Sequence, residues 1–136
     1  MDDRLPERTA AVLDSASTWH GVTWTRTDTG AEVLRLDGRE FGRVADGFVE
    51  AAFPDRLPEA VVRHGFAERH DTDGWATRPV DPVADAVALL WLSYLSHLAV
   101  ARRWRSVYPE VDVDEGLSEF DLSPGLVHLF GELERR

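Results

Sequence analysis

Six side chains in this chain are of types that do chemistry when brought together: Arg39, Arg43, Glu50, His64, His70 and Trp75. A pair of arginines grips a carboxylate or phosphate through bidentate hydrogen bonds. A histidine beside a carboxylate can pass a proton near neutral pH. Trp75 adds a flat aromatic face for stacking. The six form a site only if the segments carrying them lie side by side at one end of a sheet. A plainer arrangement uses the same residues structurally, with Arg39 and Glu40 at a turn and Glu50 paired to Arg43 across adjacent strands.

Other candidates carry less. His64 and His70 stand six apart around a helix end, and a metal would need a third ligand from elsewhere. Asp71-Thr72-Asp73-Gly74 supplies hard oxygen donors but lacks the later glutamate of a calcium loop, so it reads as an Asx-type turn. No metal and no cofactor is expected. Ser93 and His97 share a helix face four residues apart, yet no Gly-x-Ser-x-Gly elbow accompanies them, and a buried hydrogen-bonded histidine is the simpler outcome. Five tryptophans, Trp19, Trp24, Trp75, Trp91 and Trp104, are many for this length. Most should be packing, with two or three available to line a groove for an aromatic or extended ligand. No glycine opens a helix after a strand in the manner of a phosphate loop.

The elements that must position these residues are legible from periodicity and turn signals. Glu7 to Ser17 has helical spacing. Val22–Arg26 and Ala31–Leu36 flank the turn 27–30, Glu40–Ala45 follows Asp37-Gly38, and Gly47–Phe53 follows Asp46-Gly47, a four-stranded antiparallel meander. A short helix with Asp55 as N-cap and Pro58 in its first turn closes at Gly65. Phe66–His70 and Trp75–Val80 read as two more strands. Asp81 caps a long helix from Pro82 to about Trp104, with Leu89, Leu92, Leu95 (or Ser96) and Ala99 toward the core. Its apolar run, residues 86–101, is shorter than the roughly 20 residues that cross a bilayer, so it is expected to be a buried central helix. Tyr108 to Asp121 is acidic and reads as a solvated loop, and Ser123-Pro124 begins a last helix. The fold class is therefore α+β: one domain over residues 1–136, an antiparallel sheet of five to six strands with a long helix on one face.

Charge narrows the partners. The chain has 25 Asp and Glu against 15 basic residues, all arginine, for a net charge of −10. An acidic, lysine-free surface suits a cytoplasm rich in potassium salt, and a GC-rich genome accounts for the arginines alone. Either way nucleic acid and anionic membranes are repelled at low salt. With no cysteine there are no disulfides or thiolate ligands, and the charged N-terminal residues are not a secretory signal, so a cytoplasmic location is expected.

Several pieces also carry a family resemblance. Gly38-Arg39-Glu40-Phe41-Gly42, then Phe48 to Pro54, then His70 with Gly74-Trp75, then Leu89 to Tyr94 with its Leu-Ser-Tyr, occur in the order found in small proteins of the luciferase-domain family. The resemblance covers residues 31–96, leaving 107–136 as an extension. More distantly the layout is similar to the MmcQ/YjbR-like α+β fold. Arg43 stands where the family has histidine, so no role of that histidine is carried over. The resemblance implies no general mechanism. It is compatible with a binding module for a small molecule or protein, with an enzyme of unknown reaction class (an oxidoreductase by the family label), and with the DNA binding proposed for the distant fold, which the charge opposes.

Overall fold

The computed structural model describes residues 7–54, 56–100, 116 and 124–134. In chain order these form α1 (Glu7–Ala16), β1 (Val22–Arg26), β2 (Glu32–Leu36), β3 (Arg39–Ala45), β4 (Phe48–Ala52), α2 (Leu57–Arg63), β5 (Glu68–Arg69), β6 (Trp75–Pro79), α3 (Val83–Val100) and α4 (Pro124–Glu134). The six strands make one sheet in the order β1-β2-β3-β4-β6-β5, every pairing antiparallel. The α+β class and the long helix against the sheet are as expected. Within the sheet β6 docks beside β4, and β5 lies at the edge.

The turns explain the meander. Asp37-Gly38 and Asp46-Gly47 both have positive φ at both positions, 51° and 84° in one and 53° and 80° in the other. That is the type I′ geometry whose twist matches the flanking strands, and only Gly with Asn or Asp accepts it cheaply.

α3 is the centre of the core. Leu89, Leu90, Leu92, Ser93, Tyr94, Leu95, Ser96 and Ala99 are all fully buried, a helix covered nearly all round. By length and composition it could also cross a membrane, but here it packs on β3 and β4, with α1 and α4 against it. α1 contributes Thr9, Val12, Leu13 and Ala16, the stripe that successive turns place on one side.

Contacts fix which face of the sheet is covered. Gly42 lies so close under α3 that a Cβ on it would stand 2.6 Å from Leu90 Cδ2 and 3.3 Å from the Glu50 carbonyl. Phe41, beside it, packs its ring 6.1 Å from that of Tyr94 and 6.3 Å from that of His97. Two successive residues thus face the helix, which a regular strand forbids. The ladder shows why: Leu34 pairs with Gly42 but Arg35 pairs with Glu40, so Phe41 is the extra residue of a β-bulge.

Some local expectations need correction. Asp55, the expected N-cap of α2, lies outside the described residues; Arg56 holds the cap position and makes no side-chain cap bond. α3 begins one residue later than expected, because the Pro82 carbonyl accepts from Asp85 and Ala86 N–H, while the Asp81 carboxylate reaches Arg8 at 3.6 Å. Of the acidic stretch read as a solvated loop only Gly116 is described, and it is helical and buried against Leu95 and Trp91. Trp104 and the continuation of α3 past Val100 also lie outside the described residues.

Candidate functional site on the open face of the sheet

The bulge builds the first half of the site. In a regular strand residues i and i+3 point to opposite faces. With Phe41 and Gly42 both turned inward, Glu40 and Arg43 come out on the same outer face. There Arg43 Nε and Nη2 donate to one carboxylate oxygen of Glu40, at 2.9 and 2.5 Å. This pair holds the guanidinium over the ring of Trp75, 4.9 Å from its centroid, a cation–π contact.

The second half comes from the docking of β6 against β4. That register sets Trp75 opposite Ala52 and Thr77 opposite Glu50, both on the outer face. Ala52 is small, so the indole has room beside it. His70 follows β5 and turns back over β4, where its Nε2 is hydrogen-bonded to Glu50 Oε2. Both side chains are 21% exposed, so the pair is largely sheltered from solvent. The His70 and Trp75 ring centroids are 6.4 Å apart.

The tautomer of His70 follows from its other nitrogen. Nδ1 accepts the Thr72 N–H at 2.9 Å, so the ring proton is on Nε2 and is donated to Glu50. This side-chain-to-backbone bond, from residue i to the N–H of i+2, is the one an Asx turn makes. The structure assigns it to His70 rather than to the aspartates expected to make it.

Arg43, Glu50, His70 and Trp75 therefore meet, with Glu40 as an unanticipated fifth member. The other two candidates do not join them. Arg39, at the exposed start of β3, is close enough to His97 to act on it electrostatically. His64 is the exposed C-cap residue of α2. Arg43 and Glu50 are cross-strand neighbours as the plainer arrangement had it, but each takes a different ionic partner.

Two hollows flank the β5–β6 hairpin. The larger, about 600 Å³, runs between α2 and the hairpin loop, with Pro58, Val62, Gly74 and Trp75 as apolar wall and Glu59, Arg63 and Asp73 among its polar lining. The smaller, about 260 Å³, lies on the sheet face beside Phe48, Glu50 and Thr77. Arg69 and His70 line both. Phe48 is 43% exposed, unusual for a phenylalanine on a strand.

Ser93 and His97 are accounted for elsewhere. Ser93 Oγ lies 2.6 Å from the Ala52 carbonyl and 3.0 Å from that of Phe41, fastening α3 to β3 and β4. His97 Nδ1 donates to the Ser93 carbonyl at 2.8 Å rather than to its hydroxyl, so the two form no nucleophile–base pair. Burial pushes the His97 pKa down, and the Arg39 charge adds to this against the Ser93 hydrogen bond. Tyr94 reaches the His20 carbonyl at 2.8 Å and clusters with Trp19 and Trp91, so those two tryptophans are packing.

Among the described residues no three His, Asp or Glu side chains converge as a metal site would require. No family model matches the chain, and no curated protein or solved structure matches it.

Proposed function

We propose that this chain is a ligand-binding module whose ligand lies against the β5–β6 hairpin, in the hollows around Trp75 and His70. The observation that carries this is the convergence of Trp75, Arg43, His70 and Glu50, from four separate segments, on the sheet face opposite α3. Sites for small molecules combine apolar walls with a few placed polar groups, and this one does so. The partner is then a small molecule or a short stretch of a larger one.

Binding is favoured over catalysis by the state of His70. In a carboxylate–histidine relay one ring nitrogen faces the carboxylate and the other meets the substrate proton. Here the second nitrogen accepts from the Thr72 backbone, so the ring holds the hairpin loop in place. An enzyme, the runner-up reading, would require that loop to move.

Kinship with luciferase-domain proteins belongs to the same proposal. It is supported by the way the resembling pieces pack on one another: Gly42 under Leu90, and the Phe41 and Ala52 carbonyls on Ser93. A cytoplasmic setting rich in salt is supported by the −10 net charge and the lack of lysine.

The test is a thermal-shift screen of metabolites in concentrated potassium chloride, on the wild type and on an Arg43→Ala/His70→Ala double variant. A ligand at 100 times its Kd stabilises by about 2.7 kcal/mol. A hit should raise the wild-type melting temperature and leave the variant's unmoved; equal stabilisation of both would place the site elsewhere.

A further inference from the structure

We infer that the outer edge of β1 is a pairing surface for a second copy of this chain, the two β1 strands joining antiparallel through Trp24 into one continuous sheet. This edge is the one opposite the β5–β6 hairpin, so the inference stands apart from the ligand site.

Trp24 is the starting point. Of the five tryptophans, Trp19 and Trp91 pack with Tyr94, Trp75 belongs to the outer cluster, and Trp104 lies outside the described residues. Trp24 has no such role. It stands opposite Leu34, whose Cδ1 lies 3.7 Å from where a Gly42 Cβ would be, so the indole is on the face that bears α3. Leu34 is fully buried, yet Trp24 is 37% exposed. Apolar surface therefore runs on past the core to the edge of the sheet.

The backbone at that edge is open as well. Thr27 N–H donates to the Ala31 carbonyl, and the Gly21 carbonyl accepts from Asp37 N–H. Those two bonds set the phase of the ladder: Thr23 and Thr25 turn their backbone groups toward β2, and Val22, Trp24 and Arg26 turn theirs outward. Among the described residues the only one of these outward groups in use is the Val22 N–H, which donates to the Trp19 carbonyl.

The two edges of the sheet are finished differently. β5 is only Glu68–Arg69, both charged, with α2 against it, and a short charged edge resists the addition of a strand. β1 is five residues in unbroken register, with no proline, bulge or acidic residue. Its single charge, Arg26, is turned back onto Glu32 at 3.2 Å.

The strand's own order selects the partner. A two-fold axis beside Trp24 lets all of β1 pair with its copy, an isologous contact that closes on itself. Each Trp24 then exchanges both backbone bonds with Trp24 of the second copy, and each Arg26 N–H donates to a Val22 carbonyl. The two indoles lie side by side, each covering the other, and Thr23 faces Thr25. Arg26 meets Val22, so no like charges oppose. An axis moved to Arg26 would set the two arginines against each other. Two copies at −10 repel over longer range, so association should tighten with salt. One strand pair is a small interface, and the dimer Kd should be on the order of 10–100 μM.

The experiment is sedimentation equilibrium of the full chain, from about 1 μM to about 1 mM in about 1 M potassium chloride. A monomer–dimer equilibrium is expected, with no larger species, because the pairing consumes the β1 edge. Trp24→Lys sets two like charges opposite each other and should weaken the dimer at least roughly tenfold. Trp24→Pro, which removes an outward N–H and leaves the β1–β2 ladder intact, should do the same, while Trp24→Tyr keeps most of the affinity. A second measurement leaves Trp24 in place. The chain has no cysteine, so Thr23→Cys and Thr25→Cys proteins mixed in equal amounts should form a disulfide-linked dimer on mild oxidation, and Thr25→Cys alone should not.

A chain that stays monomeric across that range overturns the inference. So does a dimer that folded Trp24→Lys and Trp24→Pro leave as tight as wild type, because the contact is then elsewhere. Should both variants unfold, the cysteine mixture decides alone: a cross-linked dimer upholds the pairing, and its absence, or cross-linking of Thr25→Cys by itself, overturns it.

Discussion

On the face of the sheet beneath α3, polar groups are few and most are consumed by the fold, the buried Trp91 Nε1 being without a partner among the described residues. Ser93 ties two strand carbonyls, His97 bonds the Ser93 carbonyl, and Tyr94 bonds that of His20. On the opposite face the polar groups are many and stand in pairs, Arg43 with Glu40 and His70 with Glu50, around an indole that no core residue needs. Both faces belong to the same strands, β3 and β4, so the difference is not one of backbone. It lies in what would be lost on removal. An inner residue fills space that nothing else can fill; an outer pair can be dismantled at the cost of a partly solvated contact.

That contrast can be broken by substitution. The largest effect is expected from Phe41→Ala, which empties a fully buried aromatic position at the bulge and should cost about 3–5 kcal/mol in urea unfolding. Next come Gly42→Ala, whose added methyl has Leu90 at 2.6 Å and a backbone carbonyl behind it, and Ser93→Ala, which strips two strand carbonyls of their donor. Each should cost about 1–3 kcal/mol. A Gly42→Ala protein as stable as wild type would mean that α3 does not press on β3 as described.

His97 sharpens the comparison through pH. Its folded pKa lies below the ordinary value because burial disfavours the charged ring. The unfolded chain therefore binds the proton more readily, and the stability is fully present above the ordinary imidazole pKa of about 6.5 and is lost as pH falls through the folded value. Unfolding free energy should decline more steeply on acidification below that point in the wild type than in His97→Gln. Parallel slopes would show that His97 is not held neutral in the core.

The smallest stability effects belong to the outer face. Glu40→Gln removes an ion pair between side chains that are 32% and 39% exposed and should cost less than about 1 kcal/mol. Its consequence should be functional: without Glu40 the guanidinium is no longer held over Trp75, and tryptophan fluorescence near the site should change. If Glu40→Gln unfolds the chain as Phe41→Ala does, the outer cluster is structural and the two faces are built alike.

Local chemistry in the chain specifies most of the elements. Asp-Gly twice calls for type I′ hairpins, alternating apolar residues define the strands, and an apolar run with only Ser93, Ser96 and His97 interrupting it calls for a helix shielded from water. Even the bulge left a mark, since a lone glycine inside a strand signals close backbone approach, and Gly42 is that residue. The site is different. That Glu40 shares a face with Arg43 depends on one extra residue in a ladder, and that Glu50 meets His70 rather than Arg43 depends on which later strand takes the free edge of β4. Periodicity reports the surroundings of a residue averaged over its neighbours in the chain; it carries no record of which distant segment docks alongside. The strands, turns and central helix were thus determined by the sequence alone, while the partners of Trp75, His70 and Arg43 were decided only when the sheet closed around its order.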